Sequence, residues 1–196
     1  MTGCGNATNQ LYNPYGIALH PTLGTLYIAD LGNHRLMSYP VGAKNGTLLL
    51  GGTGPGINNT QLRNPLGLYY DSFSSTLVID NYGCNNIVRY ALGATSWTLV
   101  AGNIDGTSGT TSASFTAPTD VTFDPMGNMY VADRNNHRIQ FFYAGQMNGT
   151  TIAGVTSVNG SNATTLNIPW AAELDSQLNL YVADGGNHRI QKFLRY

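Results

Sequence analysis

Three short stretches of this chain carry the same four side chains at the same spacing. They are Asp30, Asn33, His34 and Arg35; Asp133, Asn136, His137 and Arg138; and Asp184, Asn187, His188 and Arg189. Imidazole is a common metal ligand, so a ring of such sets could hold a metal ion. The same residue types also build turns: Asp accepts backbone N–H bonds, Asn tolerates tight-turn conformations, and Arg can reach back to its own Asp or to a neighbouring element. A second series is His20, Asp71, Asp124 and Asp175, each standing just after a short apolar run. Carboxylates gathered round one opening would suit a hard cation such as calcium, with zinc the alternative where histidine joins them. Each of these residues also opens a turn, as in Asp124-Pro125-Met126-Gly127.

Both series fall into register on a repeat. Four prolines, Pro14, Pro65, Pro118 and Pro169, stand 51, 53 and 51 residues apart. After each comes a short apolar run: Gly16 to Leu19, Leu66 to Tyr70, Val121 to Phe123, and Trp170 to Leu174. A second run follows (LYIAD, LVIDN, MYVAD, LYVAD), then a turn rich in Asn and Gly, and a third run begins at the His-Arg pair, as in HRLMSY and HRIQKF. A fourth appears three times, as TLLLGG, WTLVAG and TTIAG, and is missing after HRIQKF. Short β-branched or aromatic runs bounded by turn residues are strands. Four antiparallel strands per period of this length make a propeller blade. The expected fold is therefore all-β: a β-propeller of four blades, at about 11–52, 62–102, 115–154 and 166–196, the last without its outer strand. Because the chain offers no obvious closing strand, its phase points to an arc of a larger propeller, with a four-bladed ring carrying one three-stranded blade as the alternative.

The repeated phrase, YIADLGNHRLM, YVADRNNHRIQ and YVADGGNHRIQ from Tyr27, Tyr130 and Tyr181, resembles the NHL repeat. The second copy, IDNYGCNNIVR, departs from it: Asn81 replaces Asp, Cys84 replaces Asn, Asn85 replaces His and Asn86 replaces Arg. The resemblance implies a propeller of six or sometimes five blades, of which this chain would be an arc, and one that binds partners. It also admits an amidating-lyase-like or lactonase-like enzyme with a metal at the central channel, and, less favoured, RNA binding.

Propeller geometry weighs these readings. A residue recurring at one place in every blade sits at one radius, and the third strand starts away from the axis. The His-Arg sets are thus spread round the ring as turn architecture. The first strand lines the axis, so His20, Asp71, Asp124 and Asp175 are the better metal candidates. Cys4, in the loop entering blade 1, and Cys84, in the second-to-third turn of blade 2, emerge on one face. A disulfide would form if their Cα atoms come within about 7 Å.

Charged residues are 10% of the sequence, against about a quarter in an average globular domain. The net charge is −1 and the nine Lys and Arg are scattered, which disfavours a nucleic-acid partner. No apolar run approaches the roughly 18 residues of a membrane helix, and the first ten residues lack the features of a signal peptide. Sequons at Asn6, Asn45, Asn58, Asn148, Asn159 and Asn162 all fall in connections. They point to a glycosylated extracellular protein or ectodomain, with a cytoplasmic location as the alternative. The expected function is a non-catalytic scaffold without a cofactor, presenting loops on one face to a protein, peptide or glycan.

Overall fold

In a computed structural model of the chain, the described residues are 3–195. Fifteen strands form four separate antiparallel sheets, each in simple meander order. Blade 1 holds β1 (Pro14–Leu19), β2 (Leu26–Asp30), β3 (Arg35–Tyr39) and β4 (Thr47–Gly51). Blade 2 holds β5 (Pro65–Asp71), β6 (Thr76–Asn81), β7 (Asn86–Ala91) and β8 (Thr98–Gly102). Blade 3 holds β9 (Pro118–Phe123), β10 (Met129–Asp133), β11 (Arg138–Phe142) and β12 (Thr150–Gly154). Blade 4 has three strands, β13 (Pro169–Leu174), β14 (Leu180–Asp184) and β15 (Arg189–Phe193). Together they make a four-bladed β-propeller.

The residue before each proline (Asn13, Asn64, Ala117, Ile168) has a left-handed backbone, φ 51° to 54°. For β-branched Ile168 that conformation is strained and must be held by its surroundings. A register shift follows just inside every first strand. Each second-to-third connection is a single 3-10 turn closed by a left-handed residue.

The core lies between blades. Tyr27 and Leu36 of blade 1 pack with Leu68, Leu77 and Ile79 of blade 2. Val78 and Ile87 of blade 2 meet Val121, Val131 and Phe142 of blade 3. Ala132 and Ile139 of blade 3 meet Ala172, Leu180 and Val182 of blade 4. Alternation along the strands explains this: with a period of two, one face of each sheet points to the preceding blade and the other to the following one. Gly16 keeps the first strands close, since a Cβ there would strike the Leu66 carbonyl of β5.

Candidate functional site

Pro14 pairs with Asp30, so the start of each first strand lies beside the end of the second. The 3-10 turns and the long fourth-to-first loops therefore share one end of the propeller, the loop face. There the Asp-Asn-His-Arg sets act as loop fasteners. Asp30 accepts from the Tyr12 N–H at 2.8 Å, from Asn33 Nδ2 at 2.8 Å and from Arg35 Nε at 2.7 Å. Asn33 also donates to the Gly5 carbonyl, and Arg35 to the carbonyls of Asn6, Ala7 and Gln10. Blades 3 and 4 repeat the arrangement through Asp133 with Arg138 and Asp184 with Arg189, both pairs at 2.8 Å. In blade 2 the charge is gone: Asn81 accepts the Arg63 N–H and donates to Asn86, while the Cys84 thiol points at the Gly56 carbonyl.

Two expectations are corrected. The aspartates do not cap their own turns; they grip the incoming loop instead. The tight-turn conformation falls on His34, His137 and His188, φ 53° to 56°, and not on the asparagines, whose amides are needed by the loop carbonyls.

That left-handed backbone aims each histidine at the next blade. His34 Nδ1 accepts the Asn64 N–H at 3.1 Å and His137 Nδ1 accepts the Ile168 N–H at 3.2 Å. In blade 2, Asn85 Oδ1 does the same for Ala117 at 2.8 Å. The histidines are thus latches that hold the strained residue before the next proline. Burial lowers the pKa of His34 and His137, keeping the imidazole neutral and Nδ1 free to accept; nearby Arg63 adds to this at His34.

His20, Asp71, Asp124 and Asp175 do not converge. Asp124 accepts the Met126 and Asn128 N–H groups, both at 2.9 Å, and Asp175 those of Gln177 and Asn179. Asp71 holds the Phe73 N–H, and His20 Nδ1 those of Thr22 and Leu23. Each is engaged by its own turn, and among the described residues no three His, Cys, Asp or Glu are placed to hold a metal ion. The proposed disulfide is also corrected: Cys4 is an exposed thiol and Cys84 a buried one, unbridged. Cys84 takes the loop-fastening place of Asn33, Asn136 and Asn187, while Cys4 lies beside Gly5, fastened by Asn33 of blade 1. All six sequon asparagines are exposed.

Sequence reasoning missed two features. The first is a carboxyl pair near the axis. Asp80 stands where the other blades have Ala29, Ala132 and Ala183, and Asp120 where they have Gly16, Gly67 and Ala171. Asp80 is fully buried and neither oxygen has a partner of good hydrogen-bond geometry. Burial, with Asp120 nearby, pushes its pKa well above the carboxylate range, against only a partial counterweight from the Gly67 N–H. Burial also raises Asp120, with Glu173 adding to it, up to about 6, although it accepts the Ala172 N–H at 3.1 Å. Comparing repeats position by position would have exposed both.

The second is an aromatic stack on the loop face. Tyr15 and Trp170 lie one residue after their prolines, in blades 1 and 4, with ring centroids 6.4 Å apart and planes 16° from parallel. The Arg134 guanidinium of blade 3 lies 4.5 Å from the Trp170 ring centroid. Gly185 leaves room for the indole, because a Cβ there would strike it. Tyr15 is 56% exposed and Trp170 38%. Tyr12, Ile57 and Ile104, in the loops around them, are also exposed.

Comparison with known proteins agrees with the geometry. The family model for the NHL repeat matches residues 115–142 and 166–193, the bodies of blades 3 and 4. Human (Homo sapiens) NHL repeat-containing protein 3 is 31% identical over 140 residues, covering 66% of this chain and 39% of that protein. The chain thus spans well under half of that relative. An auxiliary nutrient binding protein from Bacteroides thetaiotaomicron superposes with a TM-score of 0.72 at 21% identity, over 92% of this chain and 47% of that one. A gluconolactonase from Xanthomonas campestris superposes with a TM-score of 0.72 at 17% identity, over 96% and 60%. At these identities the two structures share the fold.

Proposed function

We propose that this NHL-repeat propeller is a binding module whose loop face, centred on Tyr15, Trp170 and Arg134, takes a protein, peptide or glycan. The observation that carries this reading is the exposed aromatic stack with a guanidinium against it. Trp, Tyr and Arg dominate interface hot spots because they offer large rigid surface with a polar handle. The likeness to a nutrient binding protein supports the reading at the level of fold.

Screening the immobilised chain against peptide libraries and glycan arrays tests it. Trp170→Ala should weaken any true ligand by about 30-fold, the scale of a 2 kcal/mol hot spot. Ligands indifferent to Trp170→Ala and Tyr15→Ala, but lost with Phe73→Ser on the opposite face, would overturn it.

The reading extends to an extracellular or ectodomain location, supported by six exposed sequons. Protein made through a secretory pathway should lose mass on glycosidase treatment; an unchanged mass speaks against this location. A second reading, lactonase- or lyase-type chemistry at the channel, is favoured by the Asp80–Asp120 pair, since perturbed carboxyls gather where acid–base work is done. Turnover of a lactone panel that is lost in Asp120→Asn would support it, and no turnover in the native chain would end it.

A further inference from the structure

Between blades 2 and 3, at the end of the propeller opposite the loop face, the inter-blade core stops short of the surface and leaves a cleft of about 310 Å³. That is the small end of the roughly 300–1,000 Å³ range of ligand pockets. Val100 of β8 and Phe123, Met129 and Phe142 of blade 3 line it, with Tyr143 and Met147, 67% and 49% exposed, on its open side. Both walls are four-stranded blades with a neighbour on either side.

The repeat explains why the space is there. In blade 2 the turn from third to fourth strand packs Leu92, Ala94 and Trp97 into the core shared with blade 1. Aligned on the strand pairs Arg89–Thr98 and Phe141–Thr150, the same places in blade 3 hold Ala144, Gln146 and Gly149. The apolar bulk that closes one inter-blade core is thus missing from the next.

The blade 2 side adds a charge. The position that is Ser38 in blade 1 and Phe141 in blade 3 is Arg89 in blade 2, and Arg89 lines the cleft. Its Nε is buried without a hydrogen-bond partner, and among the described residues its guanidinium enters no ion pair. Asp71 is close enough to feel the charge, yet its two oxygens are taken by the Phe73 N–H and the Ser74 hydroxyl of its own turn. A guanidinium drawn out of water without a partner is costly, and its planar fork matches a carboxylate. Apolar walls beside an unanswered cation are complementary to a molecule with an apolar body and one acid group.

We propose that the cleft between blades 2 and 3 binds a small carboxylate with an apolar body, its acid group on Arg89 and its body against Phe123, Met129 and Phe142. This site is separate from the loop face and shares no residue with the Tyr15–Trp170 stack.

Octanoate and phenylacetate, with octanamide as the neutral counterpart, test it by NMR on the chain carrying labelled methionine methyl groups. Either acid at millimolar concentration should shift the Met129 and Met147 signals and leave that of Met37, in blade 1, in place. Arg89→Gln should weaken the acid by about ten-fold or more, the scale of a hydrogen bond to a charged group, and leave the weaker binding of octanamide unchanged. Ala144→Leu restores the bulk that blade 2 carries at Leu92 and should weaken acid and amide alike. Ala144 is exposed and the Arg89 Nε has no partner to lose, so thermal melts should show both variants folded. If neither acid moves Met129 and Met147, the proposal is overturned. Octanamide binding as tightly as octanoate, or acid binding indifferent to Arg89→Gln, overturns it equally.

Discussion

At Asp80 the repeat itself supplies a control experiment. Three blades hold alanine at this position, and the fourth buries a carboxyl whose oxygens lack good partners. Desolvating such a group without compensation costs about 1–3 kcal/mol. Asp80→Ala should therefore stabilise the fold by a similar amount in urea unfolding, against the usual trend for core substitutions. Asp120 makes a pH-dependent counterpart. Its pKa is raised from 3.8 to about 6 on folding, so the folded state binds more protons in that interval. Stability contributed by this group is present at the acid end and is lost as pH rises through about 6. At 1.36 kcal/mol per unit the loss is up to about 3 kcal/mol. Comparing Asp120→Asn with the native chain across that window isolates the effect, because the lowered histidines titrate in both and push the opposite way. A constant difference between the two proteins would show that Asp120 does not titrate there.

Between strands and loops, the fastening set can be read as a unit. Arg138 is buried against Asp133 and donates to loop carbonyls of Thr110, Thr111 and Ser114. Arg138→Ala leaves a buried carboxylate without its partner and should cost about 3–5 kcal/mol. Converting both residues to asparagine copies what blade 2 does with Asn81 and Asn86, and should cost clearly less than the single alanine. If the double variant is the less stable of the two in thermal melts, the pair is not the independent module that blade 2 suggests. The strands themselves were legible from sequence, because alternating β-branched and aromatic runs between turn residues leave few other structures open. The role of each turn residue was not. Whether Asn or His takes the left-handed position depends on acceptors in a loop 28 residues away and on a donor 30 residues ahead. The same distance hid the candidate site: Tyr15 and Trp170 are 155 residues apart in the chain and meet through the curvature of four blades.

For the molecule as a whole, stability should behave as a one-dimensional sum, because each blade packs on its neighbours in sequence. Blade 3 is covered on both sides, and β11 is hydrogen-bonded to both β10 and β12. Blade 4 is covered on one side only. Its β15 is bonded to β14 alone, and Ile190 and Leu194 are open to solvent. The Arg189 pair is also less sheltered, its side chain 31% exposed against 3% for Arg138. Local opening draws on the regions with the fewest buried contacts, so unfolding should fray from this end. In native-state hydrogen exchange, amides of β15 should exchange first. Those of β14 should follow, at a free energy about 1 kcal/mol or more below that of β10 and β11. Exchange at one common free energy across blades 3 and 4 would mean that the propeller unfolds as a single cooperative body. The uncovered face would then not be its weak point.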